Sequence, residues 1–194
     1  MFRKKPKNAS TLSDEDLVLE LQREMDADRF GVLYDRYTAK VFQKCVGMTH
    51  DRDLAKDLTH DIFLKVFTGL SKFDHRSKFG TWLYSITYNY CLDHLRKSKR
   101  KQEDDIDEER GPSEHPEDAF EEQLLALRSE RLLLVLEQVD PGDRAMLLMK
   151  YQDELSVKEI QDILGLSESA VKMRMLRARE RALQAYHQLY REDA

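Results

Sequence analysis

Side chains suited to contacts with DNA are concentrated near the carboxyl end of this 194-residue chain. In an α-helix, which turns by about 100° per residue, Val171, Met175 and Ala178 would share one narrow apolar face. Basic and small polar residues would then lie on the other side, where they could reach base edges and phosphates in a DNA groove. The candidate contacts are Ser167, Ser169, Lys172, Met173, Arg174, Leu176, Arg177 and Arg179.

The residues that precede this segment predict a helix-turn-helix. Ser156 and Glu159 have the spacing of a capping box, in which each side chain accepts from the other residue's backbone N–H. Gly165 suits the left-handed conformation that ends a helix, and Ser167 can cap the next one. An ordinary amphipathic helix with a basic solvent face is the alternative, which these caps make less favoured. Gln161 stands where such motifs usually have a small residue, so its side chain must turn outward or the helices must separate slightly.

A second candidate region mixes aromatic and basic residues in the first half of the chain. Aromatic rings stack on unpaired bases at about 1–3 kcal/mol per base, and basic side chains neutralise phosphates. The alternative is that the rings belong to a core, which we favour for Trp82 and Tyr90 and consider about equally for Phe73, Phe79 and Tyr84. The candidate contacts are Lys72, Phe73, Arg76, Lys78, Phe79, Tyr84, Tyr88, Asn89 and Arg96.

Two His-Asp pairs, His50-Asp51 and His60-Asp61, raise the alternative of a metal-dependent phosphohydrolase. Such a site needs further ligands that converge from other helices. The nearest candidates, His75 and His94, lie in a basic segment. We therefore interpret both pairs as surface pairs at helix ends, and we expect no metal site, no cofactor and no enzymatic activity.

The charge is distributed unevenly along the chain. Residues 103–122 contain eleven acidic residues and one basic residue, so the rest of the chain carries +5 although the total is -5. A segment of this composition cannot bury enough apolar surface to fold, so we expect residues 102–122 to be a disordered acidic linker. The basic segments on both sides suggest a polyanion as partner. Shielding of those segments by the linker is a further hypothesis.

The composition favours an all-α fold. Charged residues make up 36% of the chain, while Gly and Pro number only 7 and 4. We predict two small helical domains, residues 10–101 and 123–191, with the helix-turn-helix in the second. The two cysteines, Cys45 and Cys91, lack a C-x-x-C spacing and are expected to be free thiols. Without an apolar run long enough for a signal peptide or a membrane span, we expect a cytoplasmic protein that does not insert into membranes.

Motifs in both halves resemble one known family. In the first half they are Asp57–Phe67, Phe73–Arg76 and Thr81–Leu83, followed by Asn89, Asp93 and Arg96. These are similar to bacterial RNA polymerase sigma factors of the sigma-70 family, in the small extracytoplasmic-function (ECF) group. Residues 155–183 resemble the helix-turn-helix of that family's fourth region.

The resemblance implies a non-enzymatic initiation factor that binds the β′ clamp helices and β flap of core RNA polymerase. It recognises minus-35 and minus-10 promoter elements and promotes melting of promoter DNA. Asp57, His60, Asp61 and Lys65 match the polymerase contacts, although the family more often has Gln at the position of His60. The loop 71–79 and the helix that follows match the minus-10 contacts.

The same resemblance assigns minus-35 recognition to the second domain. Met173 and Leu176 cannot donate hydrogen bonds, so they would favour thymine methyl groups. Members of the group are commonly held inactive by an anti-sigma factor, which we expect as a further partner. The alternatives are a dimeric, stand-alone helix-turn-helix regulator of duplex DNA and a pure protein-interaction module.

Overall fold

The computed structural model describes residues 9–102 and 129–190, in which all regular structure is helical. The α-helices are α1 (Asp14–Arg23), α2 (Ala27–Thr49), α3 (Arg52–Gly69), α4 (Phe79–Gln102), α5 (Ser129–Gln138), α6 (Pro141–Leu147), α7 (Val157–Leu164) and α8 (Glu168–Leu189). Short 3-10 turns occur at Ala9–Thr11 and Leu70–Lys72, and a π-helical turn, Leu148–Gln152, continues α6. The all-α prediction is confirmed. Apart from Gln102, the predicted linker lies outside the described residues.

The chain divides into two compact units, Met1–Cys91 and Leu92–Ala194. This boundary lies inside α4, which begins in the first unit and continues into the second. The sequence predicts the end of the first domain at residue 101, near the end of α4. The bounds 10–101 and 123–191 stay a prediction.

Short polar side chains begin the helices of the first unit. The Ser13 Oγ accepts from the backbone N–H of Asp16 at 3.1 Å. Asp26 caps α2 in the same way, and the Asp51 Oδ1 accepts from two backbone N–H groups at the start of α3. Each such cap contributes about 1 kcal/mol. The starts of α1, α2 and α3 are therefore defined by side chains that lie close to them in the sequence.

The apolar faces of these helices meet in one core. Leu33 and Val41 of α2, Leu58 and Ile62 of α3, and Leu83 of α4 are almost completely buried. The cysteine sulfurs of α2 and α4 lie 3.7 Å apart within this core. The hydrogen bond to Cys45, together with burial, raises the pKa of the Cys91 thiol. Both cysteines are buried free thiols, as expected.

Asp14 attaches the first helix of this unit to the second. Its carboxylate accepts from the Arg36 guanidinium and from the Tyr37 hydroxyl, each at 2.5 Å. Arg36 also donates to the backbone carbonyls of Ser10 and Leu12, at 3.0 and 2.8 Å. Burial and the Asp14 hydrogen bond raise the pKa of Tyr37. The segment before α1 is therefore held by charge-assisted hydrogen bonds to α2.

A buried arginine closes the end of α5 in the second unit. The Arg144 Nε donates to the carbonyl of Leu136 at 2.8 Å, and its Nη2 lies 3.2 and 3.4 Å from the carbonyls of Glu137 and Val139. The carbonyls of Leu136 and Glu137 belong to the last turn of α5, and that of Leu136 also accepts from the Val139 N–H at 3.3 Å. Burial lowers the pKa of Arg144, and the three carbonyls replace part of the water that its guanidinium has lost.

We expect Arg144→Met to destabilise α5 and its neighbours by about 1–3 kcal/mol, because the hydrogen bonds from the guanidinium to three carbonyls at the end of α5 are lost. Hydrogen exchange measured by mass spectrometry, on peptides from α5 and α6, would show the loss as faster exchange. Arg174→Met is the matched control, since this side chain is exposed on α8. Equal exchange rates in the two variants would contradict the capping role of Arg144.

Candidate nucleic-acid interface

The second unit contains the predicted helix-turn-helix. The Ser156 Oγ accepts from the Glu159 N–H at 3.3 Å, and the Glu159 carboxylate accepts from the Ser156 N–H at 2.9 Å, which completes the capping box. Gly165 ends α7 with φ of 65°, a left-handed conformation that costs glycine little. The Ser167 Oγ then caps α8 by accepting from the Ala170 N–H. The side chain of Gln161 is accommodated half-buried.

The long helix α8 divides into an apolar face and a polar face. Val171, Met175, Ala178 and Ala182 are buried, as the angular pattern predicted. Among the candidate minus-35 residues, those with exposed side chains are Ser167, Ser169, Lys172, Met173, Arg174 and Arg177, while Leu176 and Arg179 are half-buried. The 44% exposure of Met173 is high for a methionine in a small helical unit.

Several of these polar side chains already have partners on the protein. Lys172 pairs with Glu168 one turn earlier, at 2.7 Å. The Arg179 Nε donates to the Tyr151 hydroxyl at 2.8 Å, and the Ser167 hydroxyl is used as a helix cap. Within the described residues, neither a hydrogen bond nor an ion pair engages Arg174 or Arg177. These two arginines are therefore the basic groups of α8 that are most available to DNA.

In the first unit, the loop 71–79 is anchored by α1. The Gln22 Nε2 donates to the carbonyls of Leu70 and Phe73, at 2.9 and 2.7 Å, and its Oε1 lies 2.9 Å from the His75 Nε2. The backbone N–H of Phe79, at the other end of the loop, donates to Glu15 at 3.4 Å. The role of Gln22 could not be predicted from the sequence, because the groups that it binds are backbone carbonyls of a distant segment.

The structure corrects three of the predicted minus-10 contacts. The side chains of Phe73, Phe79 and Tyr88 are buried, with exposures of 3%, 0% and 0%. Phe73 packs against Phe79 and Trp82, with ring centroids 6.2 and 5.1 Å apart. A ring enclosed in this way has no free face on which a base could stack. These three residues are therefore part of the core that supports the loop.

Trp82 and Tyr90, for which we favoured the core, are only half-buried. Tyr84 is also half-buried, and the ammonium of Lys44 lies 4.2 Å from its ring centroid. Trp82 still packs against Phe73 and Phe79, with ring centroids 5.1 and 6.0 Å away, so part of its ring belongs to the core as expected.

The polar members of the minus-10 set are exposed. They are Lys72, Arg76 and Lys78 in and before the loop, and Asn89 and Arg96 on α4. Arg76 forms an ion pair with Asp74, and its guanidinium holds the pKa of that carboxyl below its usual range. Arg96 follows Asn89 by two helical turns, so the two side chains leave the same side of α4.

The predicted polymerase contacts share one exposed face of α3. Asp57, Asp61 and Lys65 follow one another at four-residue steps, and His60 lies beside Asp61. Leu64 lies on the same face with 52% of its surface exposed, a residue that the sequence analysis did not single out. The Tyr90 hydroxyl of α4 donates to Asp61 at 3.0 Å. We call the side chains of Asp57, His60, Asp61, Leu64 and Lys65 the α3 face.

The His-Asp pairs are placed at or on the surface of helices. His50 ends α2 and Asp51 caps α3, at helix ends as expected, whereas His60 and Asp61 lie in the middle of α3, on the α3 face, and not at a helix end as predicted. Within residues 9–102 and 129–190, there is no group of three or more His, Cys, Asp or Glu side chains that could hold a metal ion.

Comparisons with known proteins agree with this architecture. The family model Sigma-70 region 2 matches residues 33–101, and Sigma-70 region 4 matches residues 129–181. The ECF RNA polymerase sigma factor SigW of Bacillus subtilis is 32% identical over 168 residues, which cover 80% of this chain and 87% of SigW. This chain belongs to the ECF group of the sigma-70 family. The resemblance seen in the sequence is confirmed, and a stand-alone regulator is not favoured.

Further relatives and solved structures extend the match over most of this sigma factor. RNA polymerase sigma factor YlaC of Bacillus subtilis is 32% identical over 148 residues, covering 76% of this chain and 86% of YlaC. CnrH, solved in complex with the cytosolic domain of CnrY, superposes with a TM-score of 0.61 at 22% identity, covering 88% of this chain and 95% of CnrH. The sigma factor RpoE of Bartonella quintana, solved with the anti-sigma factor NepR, gives 0.58 at 21%, covering 80% and 95%. These two likenesses show the fold.

Within residues 9–102 and 129–190 of this sigma factor, no helix is both long enough and apolar enough to cross a bilayer.

We expect Gln22→Ala to loosen the loop 71–79, because two hydrogen bonds to backbone carbonyls are lost. Limited trypsin digestion, read as cleavage after Arg76 and Lys78, should accelerate about ten-fold, which corresponds to two bonds of ordinary net strength. Gln43→Ala is the control, since this glutamine is exposed on α2. Cleavage at the same rate in both variants would show that Gln22 does not hold the loop.

Proposed function

We propose that this sigma factor divides its task among three sets of exposed side chains. The α3 face binds core RNA polymerase through the β′ clamp helices. The loop 71–79 and α4 contact the minus-10 element, and α8 reads the minus-35 element in the major groove of duplex DNA. The observation that carries this proposal is the two-sided α8, with Val171 and Met175 buried and Met173 and Arg177 exposed.

The revised minus-10 set combines charge with two available rings. Lys72, Arg76, Lys78 and Arg96 would neutralise phosphates, while Asn89 offers hydrogen bonds to base edges. Tyr84 and Trp82 are half-buried and contact Lys44 and Phe73, so the exposed part of each ring is what remains to stack on a base. A base flipped from its stack costs a few kcal/mol to extrude, least at A·T-rich steps. A loop that is anchored at both ends loses less conformational entropy when it binds such a base.

The minus-35 set combines phosphate contacts with base reading. Arg174 lies beside the core stripe of α8 and would bind phosphate, whereas Arg177 and Met173 point away from the core. Lys172 and Arg179 would have to leave Glu168 and Tyr151 to reach DNA. Ser169 and Leu176 complete the reading face, and Ser167 orients the start of the helix.

We further propose that this sigma factor acts in the cytoplasm, without catalytic activity of its own, and that an anti-sigma factor restrains it. The apolar side chains exposed in the first unit support a protein partner beyond DNA, since Leu64, Met25 and Leu19 are each more than 40% exposed. A pure protein-interaction module would need no basic face on α8, so the promoter-binding function is the stronger interpretation.

Run-off transcription with purified core RNA polymerase tests the proposal as a whole. The polymerase should initiate at specific promoters only when this protein is added. Promoter-specific initiation without it, or tight sequence-specific binding of duplex DNA without polymerase, would favour a stand-alone regulator.

We expect Arg177→Ala to weaken selection of the minus-35 element by about 1–3 kcal/mol, because one base contact is lost. The measurement is the ratio of holoenzyme affinities for promoters with intact and scrambled minus-35 sequences. Arg23→Ala removes the same charge from an exposed position on α1 and should leave this ratio unchanged. An unchanged ratio in Arg177→Ala would remove Arg177 from base recognition.

Met173 should contact a thymine methyl group, because an exposed thioether has no hydrogen bond to donate. Replacing each thymine of the minus-35 element with uracil removes only that methyl. At the contacted position we expect a loss of about 0.8 kcal/mol with the wild-type protein, the value of one buried methyl or methylene group. The Met173→Ala variant should not distinguish thymine from uracil there. Equal sensitivity of both proteins at every thymine would contradict this role.

A further inference from the structure

The ring of Tyr90 lies between two opposite charges of the α3 face. Its hydroxyl donates to the Asp61 Oδ2 at 3.0 Å, and the Lys65 Nζ lies 4.6 Å from its ring centroid. Asp61 and Lys65 are exposed, whereas Tyr90, which belongs to α4, is half-buried. One side chain of α4 therefore contacts both members of a charged pair on α3.

The spacing of Asp61 and Lys65 favours a direct ion pair. An acid four residues before a lysine is the more favourable order for pairing along a helix. Elsewhere on the chain such pairs form, as between Glu168 and Lys172 at 2.7 Å, with the same spacing. Lys56 and Asp53 likewise pair at 2.7 Å on α3 itself. Within the described residues, Asp61 and Lys65 form no such pair.

Tyr90 supplies the alternative partners that explain this difference. Its phenol gives the Asp61 carboxylate a hydrogen bond, and its ring face attracts the Lys65 ammonium. An exposed pair and an exposed ring contact are both weak, so a single side chain is enough to shift the balance between them. Burial and the hydrogen bond to Asp61 also raise the pKa of Tyr90.

We propose that Tyr90 is a positioning residue that keeps Asp61 and Lys65 apart, so that both charges are available to core RNA polymerase. This inference rests on the proposed function of the α3 face. A charge that is already paired on its own helix must break that pair before it binds a partner. The phenol occupies only one oxygen of Asp61 and the ring does not neutralise the Lys65 ammonium, so both charges can bind a partner without first breaking an ion pair, and they lose less freedom on binding.

The test compares affinities of the full chain for core RNA polymerase. Tyr90→Ala removes the ring and should weaken binding about three- to ten-fold, a range typical of coupled neighbours. Tyr90→Phe keeps the ring contact with Lys65 but loses the hydrogen bond to Asp61, so it should lose less affinity than Tyr90→Ala, about two-fold. Equal losses in both variants would overturn the role of the ring. Circular dichroism melts of both variants check that the fold is intact.

A double-mutant cycle separates positioning from a structural role. In a Lys65→Gln background, Asp61 has no lysine with which to pair, so adding Tyr90→Ala should cost less than about two-fold. If the protein merely needs Tyr90 for packing, the loss from Tyr90→Ala will be the same in both backgrounds. That result would overturn the proposal.

A second measurement does not involve polymerase. Asp61→Asn removes the carboxylate and should lower the pKa of Tyr90, which absorbance titration of the phenol detects as the difference from a Tyr90→Phe counterpart. An unchanged pKa would show that the contact is absent in solution and would overturn the proposal. If the wild type fails to bind polymerase while this pKa shift is found, the proposed function of the α3 face fails, and with it the role of Tyr90.

Discussion

Burial of one face of each helix is the constraint on which the rest of this molecule depends. Each unit is small, so a helix such as α8 can cover only a narrow stripe, here Val171, Met175 and Ala178. Every side chain on the opposite face then remains at the surface, whatever its chemistry. The surfaces proposed to bind polymerase and DNA are thus the helix faces that are not buried in the core. A change in a core stripe would rotate the helix and misplace the contacts opposite to it.

Local signals explain how much could be predicted from the sequence. The helix-turn-helix follows from the Ser156 box, Gly165 and Ser167, each of which acts within four residues of its partner. The residues of the α3 face other than Leu64 came instead from the resemblance to the sigma-70 family, and their side chains are exposed. The fold class needed only composition and periodicity, because a charged chain with few glycines and prolines has few alternatives to helices.

Long-range contacts explain what could not be predicted. Gln22 binds carbonyl groups 48 and 51 residues away, and nothing in the sequence connects a glutamine with a distant backbone group. Phe73 and Phe79 have the same chemistry in a core as on a stacking surface, so spacing alone could not assign them. Burial decides, because a ring in the core gains contacts on both faces. The role of Tyr90 could not be predicted either, because its two partners, Asp61 and Lys65, lie on another helix.

The partners of the basic residues determine how charge contributes to DNA binding. Arg76 pairs with Asp74, Lys172 with Glu168, and Arg179 donates to Tyr151. The two ion pairs are exposed, so salt screens them and their rupture costs little. Even so, each of these side chains must leave its partner on the protein before it binds DNA. Its contact with DNA therefore adds less affinity than the contact of an arginine that has no such partner. A count of basic residues therefore overstates the electrostatic contribution, and Arg174 and Arg177 should dominate it on α8.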